Sequence, residues 1–138
     1  MIRVIAFDAD DTLWHNETYY RDAEAAFRRM LSAYHEEDWI QERLFATEMR
    51  NLSHFGYGIK SFVLSMIETA VELTEGRVTG PEIQAIVDLG REMLAHPVEL
   101  LPHVEETLGK LQGRYRLMLI TKGDLLDQEA KLARSGLD

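Results

Sequence analysis

The sequence has 138 residues, 46% of them hydrophobic and 28% charged, with a formal net charge of −9 and no cysteine. That length accommodates one compact domain, or a small domain inserted into part of another, but not two complete ones. The acidic balance and the scatter of Lys and Arg exclude nucleic acid as an expected partner, and the lack of cysteine excludes disulfides, thiolate nucleophiles and cysteine metal sites.

The chain opens on an apolar run, Ile2 to Phe7, rich in β-branched residues, and the pattern predicts a strand buried on both faces. Asp8 ends the run before it could serve as a signal peptide or cross a membrane, so a cytoplasmic protein with no membrane partner is expected. Directly after this strand comes Asp8-Ala9-Asp10-Asp11-Thr12. The periodicity then turns helical. Tyr20, Ala23, Phe27, Leu31 and Tyr34 recur at three- and four-residue steps, and a weaker helix is predicted over Trp39 to Met49.

Ser53 to Gly58 carries two glycines and reads as a loop. A third apolar stripe runs through Ile59, Phe62, Val63, Met66, Ile67, Ala70 and Val71. A fourth, through Ile83, Ile86, Val87 and Leu94, follows the start signal Thr79-Gly80-Pro81-Glu82. Ala95-His96-Pro97 ends the helical block, because proline disfavours helical geometry in the residue before it. A short helix with Val104, Leu108 and Leu111 then leads through Gly113 to a second apolar strand, Tyr115 to Thr121. The order strand, four helices, helix, strand, helix implies a parallel pair joined by a crossover.

Ligands of parallel sheets bind beyond the carboxyl ends of the strands, which presents the acidic cluster to a crevice. Two carboxylates two residues apart can share the work of phosphoryl transfer. One attacks phosphorus, while the other protonates the departing oxygen and then activates water. An anionic nucleophile repels a phosphate dianion, so the cluster also implies a divalent cation, and hard oxygen ligands suit magnesium. Asp is also a common turn residue, and for Asp11 a local turn or cap contact is the expected role. Asp124 and Asp127 read as a capping pair for the closing helix. The five histidines show no spacing that would bring two ligands onto one helix face. Trp14 reads as packing or as a flank of the cleft mouth, and Arg50, Asn51 and Gly56-Tyr57-Gly58 as solvated surface or as residues facing the cleft.

Phe7-Asp8-Ala9-Asp10-Asp11-Thr12-Leu13 resembles, position by position, the first motif of the haloacid dehalogenase-like (HAD) hydrolase superfamily. Leu117-Met118-Leu119-Ile120-Thr121, followed by Lys122, is similar to its second. The resemblance implies an α/β fold, a partial Rossmann-like parallel sheet core over residues 1–15 and 97–138, with an all-α cap domain inserted over 16–96. It further implies Asp8 as the phosphorylated nucleophile and Asp10 as general acid/base. Asp8 and Asp10, the latter through its backbone carbonyl, would bind Mg2+, and Thr121 and Lys122 the substrate phosphate. A small phosphorylated metabolite is the implied partner. Dehalogenases of the superfamily do not retain the second aspartate, so Asp10 favours a phosphatase, with phosphonate cleavage and phosphomutase activity as alternatives.

The family's third-motif Lys and fourth-motif acidic residues are not found in this sequence. A two-stranded parallel sheet cannot cover both faces by itself, so the reading expects a fragment, a core completed by a second chain, or a non-catalytic interaction protein. A phosphate-accepting receiver module fits poorly, because it would not carry a long helical insertion after the first acidic cluster.

Overall fold

The computed structural model describes residues Met1–Asp138. In chain order it comprises β1 (Val4–Asp8), α1 (Glu17–Leu31), α2 (Glu37–Phe55), α3 (Ile59–Leu73), α4 (Gly80–Ala95), α5 (Val104–Leu111), β2 (Arg116–Ile120) and α6 (Leu125–Ser135). The element order and the α/β class are those read from the sequence. The chain divides into two compact units, Met1–Tyr19 with Pro97–Asp138, and Tyr20–His96.

In the first unit β1 and β2 pair in parallel, from Val4 opposite Arg116 to Asp8 opposite Ile120. Phe7 and Leu119 pack with the buried Ala9, Leu13 and Trp14, against Val104 and Leu108 of α5 and Leu132 of α6. The expectation of strands buried on both faces is corrected here. Both strands alternate, and Val4, Met118 and Ile120 on the opposite face are 44%, 43% and 59% exposed. The physical reason is that both helices of this unit pack with Phe7 and Leu119, and no element of the chain covers the other face. The apolar composition of both faces was visible in sequence; which face this chain itself covers was not.

The second unit is built of helices, with α3 lying against both α2 and α4. Its core holds Phe27 and Leu31 of α1, Ile40 and Leu44 of α2, Phe62 and Met66 of α3, and Ile86 of α4. The rings of Tyr20 and Phe62 meet at 5.1 Å between centroids. Helix α2 is longer than predicted and absorbs Ser53, His54 and Phe55, which were expected in a loop. It ends only at Gly56, whose φ of 70° favours glycine and whose N–H still bonds the Leu52 carbonyl. Asn51 is likewise not solvated surface but 93% buried, and its side-chain amide donates to Ser65 Oγ and to Glu68.

The start of α4 behaves as its sequence signal predicts. Thr79 Oγ1 accepts from the Glu82 N–H while the Glu82 carboxylate accepts from the Thr79 N–H, and Pro81 occupies the first turn. Farther along the same helix, Gly90 is there for a close approach. A Cβ at this position would lie 2.3 Å from Val63 Cγ2, and a β-branched side chain on a helix has little rotamer freedom with which to yield. Gly90→Ala is therefore expected to destabilise the chain by about 1–3 kcal/mol despite alanine's better helix propensity. Urea unfolding measures this, and a neutral or stabilising change would show that α3 and α4 are less tightly apposed.

Candidate active site

Strand β1 delivers Asp8 as its last residue, and the chain then turns back on itself. The buried Ala9 accepts at its carbonyl from the N–H groups of Thr12 and Leu13, at 3.1 and 2.8 Å, while the Asp11 N–H donates to the Trp14 carbonyl at 2.7 Å. Asp8 is exposed, and the Thr12 hydroxyl donates to its Oδ2 over a long 3.4 Å. Its carboxylate is thus open to solvent at the carboxyl end of the sheet.

Asp11 sits in the left-handed region, with φ 58°, a conformation that Asp tolerates. Its carboxylate accepts from the Asn16 N–H at 2.9 Å and the Glu17 N–H at 3.1 Å, so it caps the entry to α1. Its geometry is that of a local cap.

Asp10 is held quite differently. Its Oδ1 accepts from Trp14 Nε1 at 2.9 Å and from Lys131 Nζ at 3.1 Å, and its Oδ2 accepts from Gln128 Nε2 at 3.0 Å. Trp14 is 1% exposed, so it packs, but its indole N–H also binds the carboxylate. Gln128 and Lys131 come from α6, more than a hundred residues away in sequence, and both are buried. Lys131 also donates to Asn16 Oδ1 at 3.0 Å and lies 3.6 Å from Asp127 Oδ2. Sequence reasoning missed both residues. The one available signal was that Gln128 and Lys131 fall on the stripe of α6 that Leu132 turns towards the core.

The parallel register places the second predicted segment beside the first. Asp8 is opposite Ile120, so Thr121 and Lys122 follow at the same carboxyl end of the sheet. Thr121 Oγ1 accepts from the Gly123 N–H at 3.1 Å, and Lys122 is exposed. At the start of α6, Asp124 accepts from the Asp127 N–H at 3.2 Å and caps the helix, as its spacing predicts. Elsewhere in this unit, burial first and the Glu99 carboxylate second raise the Tyr19 phenol above its ordinary value of 10.0.

Two apolar hollows of this unit, each of about 180 Å³, include neither Asp8 nor Asp10 in their walls. For a cation, the chain offers hard oxygen donors at Asp8, but no group of three or more His, Asp or Glu is arranged around a common point. The Asp10 side chain faces an ammonium and two N–H donors, an environment that suits an anion. These three donors engage both oxygens of the Asp10 carboxylate.

The profile of the haloacid dehalogenase-like hydrolases matches residues 2–138. Among solved structures, the chain is 51% identical to a haloacid dehalogenase-like family hydrolase from Xanthomonas campestris, with a TM-score of 0.92, covering 99% of this chain and 57% of that one. Two others share the fold. An L-2-haloacid dehalogenase from Xanthobacter autotrophicus is 16% identical, with a TM-score of 0.59, over 99% of this chain and 53% of its own. A predicted phosphoglycolate phosphatase from Haemophilus somnus is 19% identical, with a TM-score of 0.51, over 96% and 56%. The chain thus spans little more than half the length of these relatives. No curated protein matches it.

Proposed function

Because the chain belongs to the haloacid dehalogenase-like hydrolase family, we propose that it carries the nucleophile and the acid/base of a phosphoric monoester hydrolase acting on a small phosphorylated metabolite. In this reading an Asp8 carboxylate oxygen forms a bond to phosphorus as the ester oxygen departs, and Asp10 supplies the proton that the leaving oxygen takes up. Asp10 then removes a proton from water, which attacks phosphorus and frees Asp8 with release of inorganic phosphate. The Thr121 hydroxyl and Lys122 would hold phosphoryl oxygens at the end of β2. Magnesium, bound by the Asp8 carboxylate and the Asp10 carbonyl, would neutralise charge between the nucleophile and the phosphate. The helical unit, Tyr20–His96, would serve as the cap that excludes water during turnover.

The observation that carries the phosphatase over the dehalogenase reading is the environment of Asp10. A halide leaves as an anion and needs no proton, whereas an ester oxygen does. This chain devotes a buried Lys, a buried Gln and a buried Trp to holding a carboxylate two residues after the nucleophile. A carboxylate held in place there fits a reaction in which a proton must be moved.

The test is a comparison of substrates. The protein is incubated with an aryl phosphate and with a 2-haloacid, each with magnesium and with a chelator. Magnesium-dependent release of the aryl alcohol, without halide release, is the expected result. Halide release without phosphate hydrolysis would replace the reading with a dehalogenase, and no reaction from folded protein would favour a non-catalytic role.

A further inference from the structure

We propose that Gln128 and Lys131 of α6 are positioning residues for Asp10, and that together with Trp14 they fix Oδ2 as the carboxylate oxygen that exchanges the proton. The inference rests on the phosphatase reading given above. An ionised carboxylate has about four lone-pair sites, two on each oxygen. Oδ1 has both of its sites engaged, by Trp14 Nε1 and Lys131 Nζ, and Oδ2 has one engaged, by Gln128 Nε2. The remaining site is on Oδ2, and only there can Asp10 receive or give a proton without first breaking one of its bonds.

The surroundings of the two α6 side chains show that this arrangement is built and not incidental. Lysine is among the residues least often buried, yet Lys131 is 8% exposed, with its charge balanced by Asp10 and Asp127 and a further bond to Asn16. A buried ion pair of this kind adds little net stability, because desolvation offsets the attraction, so stability alone does not account for it. Gln128 is 4% exposed, and its amide oxygen finds no protein donor. The amide is therefore oriented from one side, by its N–H bond to Asp10. Turning it over would set oxygen against oxygen.

A third observation comes from the turn after β2. Gly123 has space for its neighbour only because it lacks a Cβ. One built there would lie 2.3 Å from Gln128 Nε2 and 2.9 Å from both Cδ and Cγ. The Gln128 side chain thus crosses the backbone of the Thr121-Lys122-Gly123 turn on its way to Asp10. The position of α6 is itself set by Asp124, whose side chain accepts from the Asp127 N–H and whose carbonyl accepts from the Gln128 N–H at 2.9 Å. Cap, glycine, glutamine and lysine form one mechanical path that ends on the acid/base.

The test uses steady-state hydrolysis of an aryl phosphate with magnesium, with thermal unfolding of every variant alongside. Displacing a reacting group by about an ångström costs on the order of a hundredfold, so Lys131→Met and Gln128→Leu are expected to lower kcat about ten- to a hundredfold with KM little changed. Lys131→Arg, which keeps the charge and a donor, is expected to restore most of kcat. Gly123→Ala should lower kcat as Gln128→Leu does, and should add nothing further in a Gln128→Leu background, since both act through the same contact. If Lys131→Met does not fold, the Gly123 and Gln128 cycle decides.

Folded variants that turn over at the wild-type kcat, or Gly123 and Gln128 effects that simply add, would overturn the proposal while leaving the phosphatase reading intact. Asp10→Asn with undiminished kcat, or a wild-type protein that hydrolyses no phosphate ester, would instead remove the phosphatase reading and this inference with it.

Discussion

Asp8→Asn should abolish turnover while leaving the fold as it is. The carboxamide keeps the shape of the side chain but has no anionic oxygen with which to form the covalent intermediate. The loss should be at least about a thousandfold in kcat/KM, which corresponds to ~4 kcal/mol of transition-state stabilisation. The stability side of the expectation follows from the geometry. Asp8 is exposed and its one side-chain hydrogen bond is the 3.4 Å contact from Thr12, so the change in unfolding free energy should stay within about 0.5 kcal/mol. Paired kinetic and urea-unfolding measurements check both. Residual activity within about tenfold of wild type would mean that another group attacks.

The second large effect belongs to the helical unit. Phe27 is fully buried, in one core with Leu31, Ile40, Leu44, Phe62, Met66 and Ile86. Truncation to alanine removes the ring's transfer energy and leaves a hole that rigid helices fill only in part, a combined loss of about 3–5 kcal/mol. A domain with total stability on the order of 5–15 kcal/mol is left marginal by such a loss. Phe27→Leu keeps most of the volume and should cost less than about 1.5 kcal/mol. Urea midpoints for the two variants measure the difference. Equal, small losses would show that the α1 face of the core is loosely packed.

The sequence was most legible where local chemistry and local geometry coincide. The Thr79-Gly80-Pro81-Glu82 start of α4 and the Asp124 cap of α6 act over three or four residues, and both form as their spacing implies. The acidic cluster after β1 was legible for the same reason, since an apolar run that stops at Asp8 marks a strand end whatever surrounds it. Helix α2 was underestimated because Gly56 and Gly58 marked all of Ser53 to Gly58 as a loop, whereas the helix runs on to Phe55 and ends only at Gly56.

What stayed hidden depends on contacts distant in sequence. Gln128 and Lys131 meet Asp10 across 118 and 121 residues, and apart from their place on the α6 stripe with Leu132 nothing local marks them. Asn51 was hidden likewise, because its burial depends on Ser65 and Glu68 of a neighbouring helix. The face of the sheet bearing Val4, Met118 and Ile120 misled in the opposite direction, since its side chains are apolar yet exposed in this chain.

The claim on which the rest depends is that Asp8 attacks phosphorus, and acid-quenching the protein during turnover of an aryl phosphate, followed by peptide mapping in a mass spectrometer, tests it most directly. A phosphoryl adduct on the peptide containing Asp8, absent from Asp8→Asn, is the predicted result. An ester formed there from a 2-haloacid and not from the phosphate, or a phosphoryl group mapped to any other residue, would contradict it.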